Sequence, residues 1–345
     1  MSATGVNAAG AVRSQMSGGS CALAWVVLAT ATAVAQTPPP PAVNPLAELA
    51  TMGYQPRGSV EGAIRLSGSG TLQQAAAHWC QGFERMHPKA KCSIHDCGSE
   101  AGLKALLEGT ADVALLSRPV QDAEKESVAK GGDRKLVVVV VGFDRLVWIV
   151  PASNPVTELK WSPESGVLRP TSGQAAAATQ WSVLNGSADW KDVPINVHGY
   201  ALGSGTRWHL DRLLTGASAY HPEVREHKTE AELAEAVAGD KGGLGLVGDE
   251  HAHWPGIKRL PLVVPADASP LADAVAGSDR TPDCRPLFVA VSMPTTGELP
   301  ASLREFLEYV LSFPGQLDVA KDGLMPLSRG EIHAQKNLLG WAVAR

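Results

Sequence analysis

The sequence has no excess of charge of either sign. Its 345 residues carry 30 Lys and Arg against 35 Asp and Glu, a formal net charge of −5. Proteins that grip nucleic acid gather Lys and Arg on one face to neutralise phosphates; no such stripe exists here, so no nucleic-acid partner is expected. Long apolar runs are also missing beyond the first 35 residues. Within them, "CALAWVVLATATAVA" (Cys21–Ala35) is apolar and ends in the small-x-small pattern Ala33-Val34-Ala35, with Arg13 as the only charge before it. The run is short for a membrane span, so residues 1–35 read as a cleaved signal peptide, the alternatives being an uncleaved anchor or an upstream extension with the true start at Met16. Cys21 precedes the run, whereas a lipid-acceptor cysteine follows it.

Cysteine is scarce: after the leader only Cys80, Cys92, Cys97 and Cys284 remain. Their spacing matches no zinc pattern. In an exported chain an even number suggests disulfides, with four free buried thiols as the alternative. If "KCSIHDC" is a strand, Cys92 and Cys97 sit about 16 Å apart along it, too far for a bridge that needs Cα atoms within about 7 Å. Cys80, on the preceding helix, is the better partner for one of them. Two catalytic signatures are absent as well. No G-x-x-x-x-G-K-[ST] loop occurs, and neither Ser69 nor Ser204 has glycine at both −2 and +2, so neither a nucleotide P-loop nor a nucleophile elbow is present.

What is present is an ordinary globular composition, 44% apolar and 19% charged, with a repeating pattern. "TPPPPAVNP" (Thr37–Pro45) marks a linker over 36–58 that is expected to stay outside the fold. After it "AIRLSG" reads as a strand, "LQQAAAHWCQGFERM" as a helix, "KCSIHD" as a strand, "EAGLKALLEG" as a helix, and "ADVALLS" and "KLVVVVVGF" as strands. Residues 160–195 interrupt with Trp, Ala, Ser and Pro. The alternation resumes with "INVHGYAL", "TRWHLDRLLTG", "TEAELAEAVAG" and "GGLGLVG", then "RPLFVAVSMP" and an amphipathic helix in "ASLREFLEYVLSFPGQ". Strand-helix alternation implies an α/β fold of parallel sheets with helical crossovers.

One tetrapeptide occurs twice at a strand-to-helix turn: "GSGT" at Gly68–Thr71 and again at Gly203–Thr206. Such turns lie at the carboxyl ends of parallel strands, where open α/β sheets place ligands. A helix start offers unpaired N–H groups and partial positive charge, glycine admits close approach, and the hydroxyls add donors. Ser99 in "CGSEAGLKALLEG" opens a third such turn. Three hydroxyl-bearing helix starts facing one cleft suit an oxyanion.

From about Ile64 to Leu327 the chain resembles the periplasmic phosphate-binding proteins of ABC transporters, of the two-lobed type II solute-binding fold. The matching stretches are "GSGTLQQAAAHWCQGFERMHP", "CGSEAGLKALLEGTADVALLSRPV", "GSGTRWHLDRLL", "RPLFVAVS" and "LEYVLSFPGQLDVAKDGLMPLS". The resemblance implies one lobe from 59–144 with 286–345, a second from 145–285, and closure of both over one phosphate. It places Gly70, Thr71 and Leu72, Ser99, Ser117, and Ser204, Gly205 and Thr206 on the anion. It also implies a monomer in the periplasm that hands its ligand to a membrane permease, with no cofactor, no metal and no catalysis. The alternatives are a secreted phosphatase, or a surface or matrix protein on the same scaffold.

Two departures from the family stand out. Where many members have arginine four residues before the second-lobe serine, this chain has Tyr200. Where they have the aspartate that accepts a proton from phosphate, it has Arg118. Arg118 is therefore expected to supply the cation, or else to form a lobe-surface salt bridge, and Asp96 is a possible replacement acceptor. "DEHAHW" offers His251 and His253, which reads as a solvated loop because two ligands make no metal site. His209 reads as a surface or interface residue.

Overall fold

The strand that ends in the first GSGT lies near one edge of a nine-stranded sheet, and the strand that leads to the second lies near the other. This comes from a computed structural model, which describes residues 45–130, 134–162, 166–168, 179–185, 188–216, 222–263, 284–296 and 298–341. The expected leader, the start of the proline-rich linker and the alanine run at 175–178 lie outside these residues. The chain runs α1 (Pro45–Leu49), β1 (Glu61–Gly68), α2 (Gln73–Met86), β2 (Lys89–Asp96), α3 (Gly98–Leu107), β3 (Val113–Leu116) and α4 (Asp122–Lys130). A long β4 (Arg134–Pro151) leads to β5 (Leu159–Lys160), α5 (Trp181–Asn185), β6 (Asn196–Tyr200), α6 (Gly205–Thr215), β7 (Val224–His227), α7 (Glu230–Gly239), β8 (Gly243–Gly248), β9 (Ile257–Leu260) and β10 (Leu262–Val263). β11 (Cys284–Pro294) returns, followed by α8 (Ala301–Val310), α9 (Phe313–Lys321) and α10 (Arg329–Leu338).

The sheet order is β2-β1-β3-β11-β4-β8-β6-β7, with β9 on β4. β1 pairs in parallel with β2 and β3, and β6 with β7 and β8. Between these parallel blocks β4 and β11 lie antiparallel along nearly all of β11. The apolar run read as one short strand is thus the first half of an 18-residue strand that crosses the molecule. Both crossing strands are largely buried on both faces, which is why they read as continuous apolar runs. Each parallel block has its own core: Trp79, Phe83, Phe306 and Leu307 on one side, Trp148, Trp181, Leu210 and Leu244 on the other. Among the described residues no helix is long and apolar enough to cross a membrane.

The apolar stripe Leu303, Phe306, Leu307 and Val310 is buried as its spacing requires. The expected single helix is two, however. Pro314, in the first turn of α9, has no N–H, and its ring would clash with the carbonyl of Val310 four residues back, so the helix restarts after Ser312. Phe306 packs edge-on against Phe83 with ring centroids 5.5 Å apart. Phe306→Ala should cost about 3–5 kcal/mol in denaturant unfolding. A loss below about 1 kcal/mol would mean that this core collapses to fill the space.

The segment before β1 belongs to the fold rather than to a free linker. Leu49 is fully buried in the first core, and Tyr54 is fixed by a polar chain. The Val60 N–H donates to His87 Nδ1 at 3.3 Å, so the other ring nitrogen carries the proton and donates to Tyr54 Oη at 2.6 Å. Tyr54 in turn donates to Glu305 Oε2 at 2.6 Å. Burial holds the His87 pKa below its usual 6.5, against the pull of Glu305. The unfolded chain therefore binds more protons here, so His87 contributes stability that is full above pH 6.5 and falls as pH drops below it. His198 and His227 act in the same sense, their pKa values lowered chiefly by burial. Midpoints of urea unfolding should fall on acidification below 6.5, and His87→Gln should flatten that slope. An unchanged slope would remove His87 from this account.

Candidate functional site

The carboxyl ends of β1, β2, β3 and β6 converge on one cleft. β1 ends at Gly68 and passes through a single 3-10 turn, Gly70–Leu72, into α2; β2 passes through Cys97 into α3; β3 ends just before Ser117; β6 turns through Ala201–Gly203 into α6. A cavity of about 630 Å³ lies between them, lined by Gly70, Thr71, Ser117, Ser204, Gly205 and Thr206 together with Ser69, Asp96, Tyr200, Lys228 and Glu230.

The three serines of the first half interlock. Ser69 Oγ donates to Ser117 Oγ at 2.8 Å, and Ser117 N–H donates to Ser99 Oγ at 3.1 Å. Ser99 is wholly buried and Leu72 belongs to the core, so neither lines the cavity; Ser99 instead fixes Ser117, which does. On the other side Ser204 caps α6 by accepting from Arg207 N–H at 3.0 Å. The two sides touch. Glu100 N–H donates to Gly203 O at 3.2 Å, His209 Nε2 lies 3.1 Å from Ser117 O, and Gly205 packs on Ser117 so tightly that a Cβ there would sit 2.1 Å from its Oγ. His209 is thus a buried interface residue; burial and nearby Arg285 hold its pKa well below 6.5, which keeps the ring neutral.

The cation is not Arg118. Its guanidinium forks onto Glu124 of α4, Nη2 to Oε1 at 2.7 Å and Nη1 to Oε2 at 2.9 Å, and its side chain does not line the cavity. Burial raises the Glu124 pKa, yet Arg118 and the Gln121 amide bring it below the usual value. Ser117 and Arg118 follow β3 at a bend in the chain, and their side chains have different partners: Ser117 Oγ accepts from Ser69, whereas Arg118 forks onto Glu124. With Ser117 in the cleft, Arg118 faces α4.

The positive charge behind the cleft is Arg285. It lies on β11 directly opposite Asp144 on β4 and is fully buried. Nε and Nη2 donate to Asp144 Oδ2 at 2.9 and 2.6 Å. Its remaining N–H groups reach both tetrapeptides: Nη1 donates to Thr206 Oγ1 at 2.8 Å and Nη2 to Thr71 Oγ1 at 3.1 Å. Each threonine oxygen accepts from the guanidinium, which leaves its own O–H free to donate into the cavity. Burial pushes Asp144 up to about 6 against the pull of Arg285, with Glu250 and Glu230 adding to the rise. A carboxylate this buried persists because it is paired. Sequence reading missed both residues. The signal was there: Asp144 beside Arg145 inside one long apolar strand and Arg285 on another, charges that are rarely buried unless paired.

Two features remain, Tyr200 on the far wall and His251 beside Glu230. Tyr200 lines the cavity where the family places arginine, and burial raises its phenol far above the usual range, with Glu230 adding to the rise. His251 is not a solvated loop residue. Its Nδ1 lies 2.7 Å from Glu230 and 3.1 Å from Glu250, and these partners push its pKa up to about 10. Those three side chains come close enough to share a metal ion; with the ring protonated, its single positive charge offsets one of the two carboxylates.

A family model described as a PBP superfamily domain matches residues 31–313. The chain belongs to the PBP superfamily. Among curated PBP relatives, the chain is 27% identical over 278 residues to "Phosphate-binding protein PstS" of Pseudomonas aeruginosa (strain PAO1), covering 79% of this chain and 86% of that one. It is 23% identical over 301 residues to "Protein SphX" of Synechococcus elongatus, covering 81% and 86%. Among solved structures it resembles a possible phosphate binding protein from Planctomyces limnophilus (TM-score 0.55, 21% identity, 82% of this chain and 99% of that one). It also resembles an ABC-type phosphate transport receptor from Vibrio cholerae (TM-score 0.55, 19% identity, 76% and 100%). These likenesses agree with the two-lobed α/β fold expected from the sequence.

Proposed function

We propose that this PBP-superfamily chain binds phosphate in the cleft between two lobes, 59–144 with 286–345 and 145–285, and delivers it to the membrane permease of an ABC transporter. The observation that carries this reading is Arg285, one buried guanidinium bonded to the threonine of each GSGT. Both lobes thereby present polarised hydroxyls to one anion, beside the N-termini of α2, α3 and α6. The names of the PstS relative and of the solved neighbours support phosphate as that anion. Asp96 supports it too. Its carboxylate lies on the cavity wall, 2.8 Å from where a Cβ at Gly70 would be. It can accept a hydrogen bond from a protonated anion oxygen, and it repels an anion that has no proton to give. The protein works as a monomer outside the cytoplasmic membrane, exported by the leader at 1–35, and it catalyses no reaction.

Isothermal titration of ligand-stripped protein tests this. Phosphate should bind one to one with measurable heat, and sulfate far more weakly. Silence with phosphate, sulfate and molybdate alike would overturn the reading. In the same assay Arg118→Ala should keep its Kd for phosphate within about threefold of the parent, because its guanidinium serves Glu124 and not the cleft. A loss of tenfold or more, about 1.4 kcal/mol, would return Arg118 to the site.

A further inference from the structure

Two of the four cysteines in the described residues lie against each other, away from the anion cleft. Cys80 sits in the middle of α2 and is buried; Cys92 lies on β2, the edge strand of the sheet, and is half-buried. Both belong to the first core. Glu84 fixes their juxtaposition. It stands one helical turn beyond Cys80, on the same face of α2, and its Oε1 accepts the Cys92 N–H at 2.8 Å. The strand at Cys92 is thereby held against the Cys80–Glu84 stripe, which brings the Cys92 thiol close enough to Cys80 to raise its pKa. The other cysteines are engaged elsewhere. Cys97 Sγ lies 3.2 Å from Ser67 Oγ at the mouth of the cleft, and Cys284 is buried on β11 opposite Arg145.

We propose that Cys80 and Cys92 form a structural disulfide when the chain folds in an oxidising compartment. The oxidant is a protein or small-molecule disulfide. The more accessible Cys92, as thiolate, attacks one sulfur of the donor disulfide and expels the other as a thiol. Cys80 then attacks the Cys92 sulfur of this mixed disulfide and expels the second donor thiol. The two cysteines lose two protons and two electrons, and the donor gains them. The Cys80 thiol is held protonated by its contact with Cys92, by burial and by the nearby Glu84 charge, so it is a poor nucleophile once folded. The bond therefore closes during folding, before α2 seals against β2.

The bridge has a place in the site's mechanics. α2 begins just after Gly70–Leu72, and β2 runs directly into the Cys97–Ser99 turn. One covalent link thus braces the two elements that carry the first lobe's side of the grip. It closes a short loop, and loops of this size add stability on the order of a hundredfold in the folding equilibrium constant.

The test is to refold the full chain with oxidised glutathione, alkylate it in denaturant, and map its peptides without reduction. The expected result is one cross-linked pair containing Cys80 and Cys92, with Cys97 and Cys284 alkylated. Alkylation of Cys80 and Cys92, or a bridge to Cys97 or Cys284, overturns the proposal. This arm does not depend on the proposed location; the same map of chain exported to the periplasm does. For oxidised protein, Cys80→Ala, Cys92→Ala and the double variant should lower the folding constant alike, because one bond is lost in each. Additive losses would mean that two thiols merely pack. Phosphate affinity should change little in all three.

Discussion

Arg285→Ala should raise the Kd for phosphate at least a hundredfold and destabilise the fold as well. Two charge-assisted hydrogen bonds to the gripping threonines disappear, each worth about 1.5–3 kcal/mol. The same change strands Asp144. Breaking a buried pair by removing one partner costs about 3–5 kcal/mol, and Asp144, already pushed up to about 6, rises further. The lone carboxylate then either takes up a proton or repels the anion across the threonines. Arg285→Ala/Asp144→Asn separates the two effects, because it removes the stranded charge: it should recover most of the stability and little of the affinity. Arg285→Lys should bind between parent and alanine variant, since a point charge serves Asp144 and one threonine but cannot fork to both. Titration calorimetry and urea unfolding read the two quantities. Parental affinity in the stable double variant would show that the buried guanidinium does not hold the anion site together.

Gly205→Ala should abolish detectable phosphate binding while leaving the unfolding midpoint close to the parent's. The added methyl carbon would meet Ser117 Oγ at 2.1 Å and the Ser117 carbonyl carbon and oxygen at 2.8 and 2.9 Å. The hydroxyl can rotate away; the backbone cannot. On the proposed division Gly205 and Ser117 belong to opposite lobes, so the clash should forbid closure rather than folding and leave each core intact. Small-angle scattering of the variant with phosphate should give the open dimensions, and with the parent protein a contraction. Closure and binding by the alanine variant would mean that the lobes meet at a different angle around the anion.

The alternation of strands and helices was legible because its signals are local. Apolar spacing on α2, α3, α7 and α8 has the helical period, and Thr229 to Glu232 marks a helix start in the sequence as it does in the structure, where Thr229 Oγ1 accepts the Glu232 N–H at 3.1 Å. Where reading failed, a local signal was weak or unused. α4 is short and strongly polar, and it passed unnoticed; it carries Glu124, the residue that takes Arg118 out of the site. α10 has a capping box between Ser328 and Glu331 that could have revealed it.

The sequence by itself determined that two GSGT turns end strands and open helices, and so that one chain holds two helix starts of the kind that suit an anion. Turn chemistry and periodicity act over a few residues, and the chain states them directly. Only the tertiary structure decided which cation stands behind those turns. Arg285 and Asp144 meet through the register of β4 against β11, a pairing across 141 positions that no local pattern encodes. Arg118 is turned from the cleft by its partner: at the bend after β3, Glu124 of α4 takes its guanidinium, while Ser69 after β1 and Ser99 on α3 hold Ser117 toward the cavity.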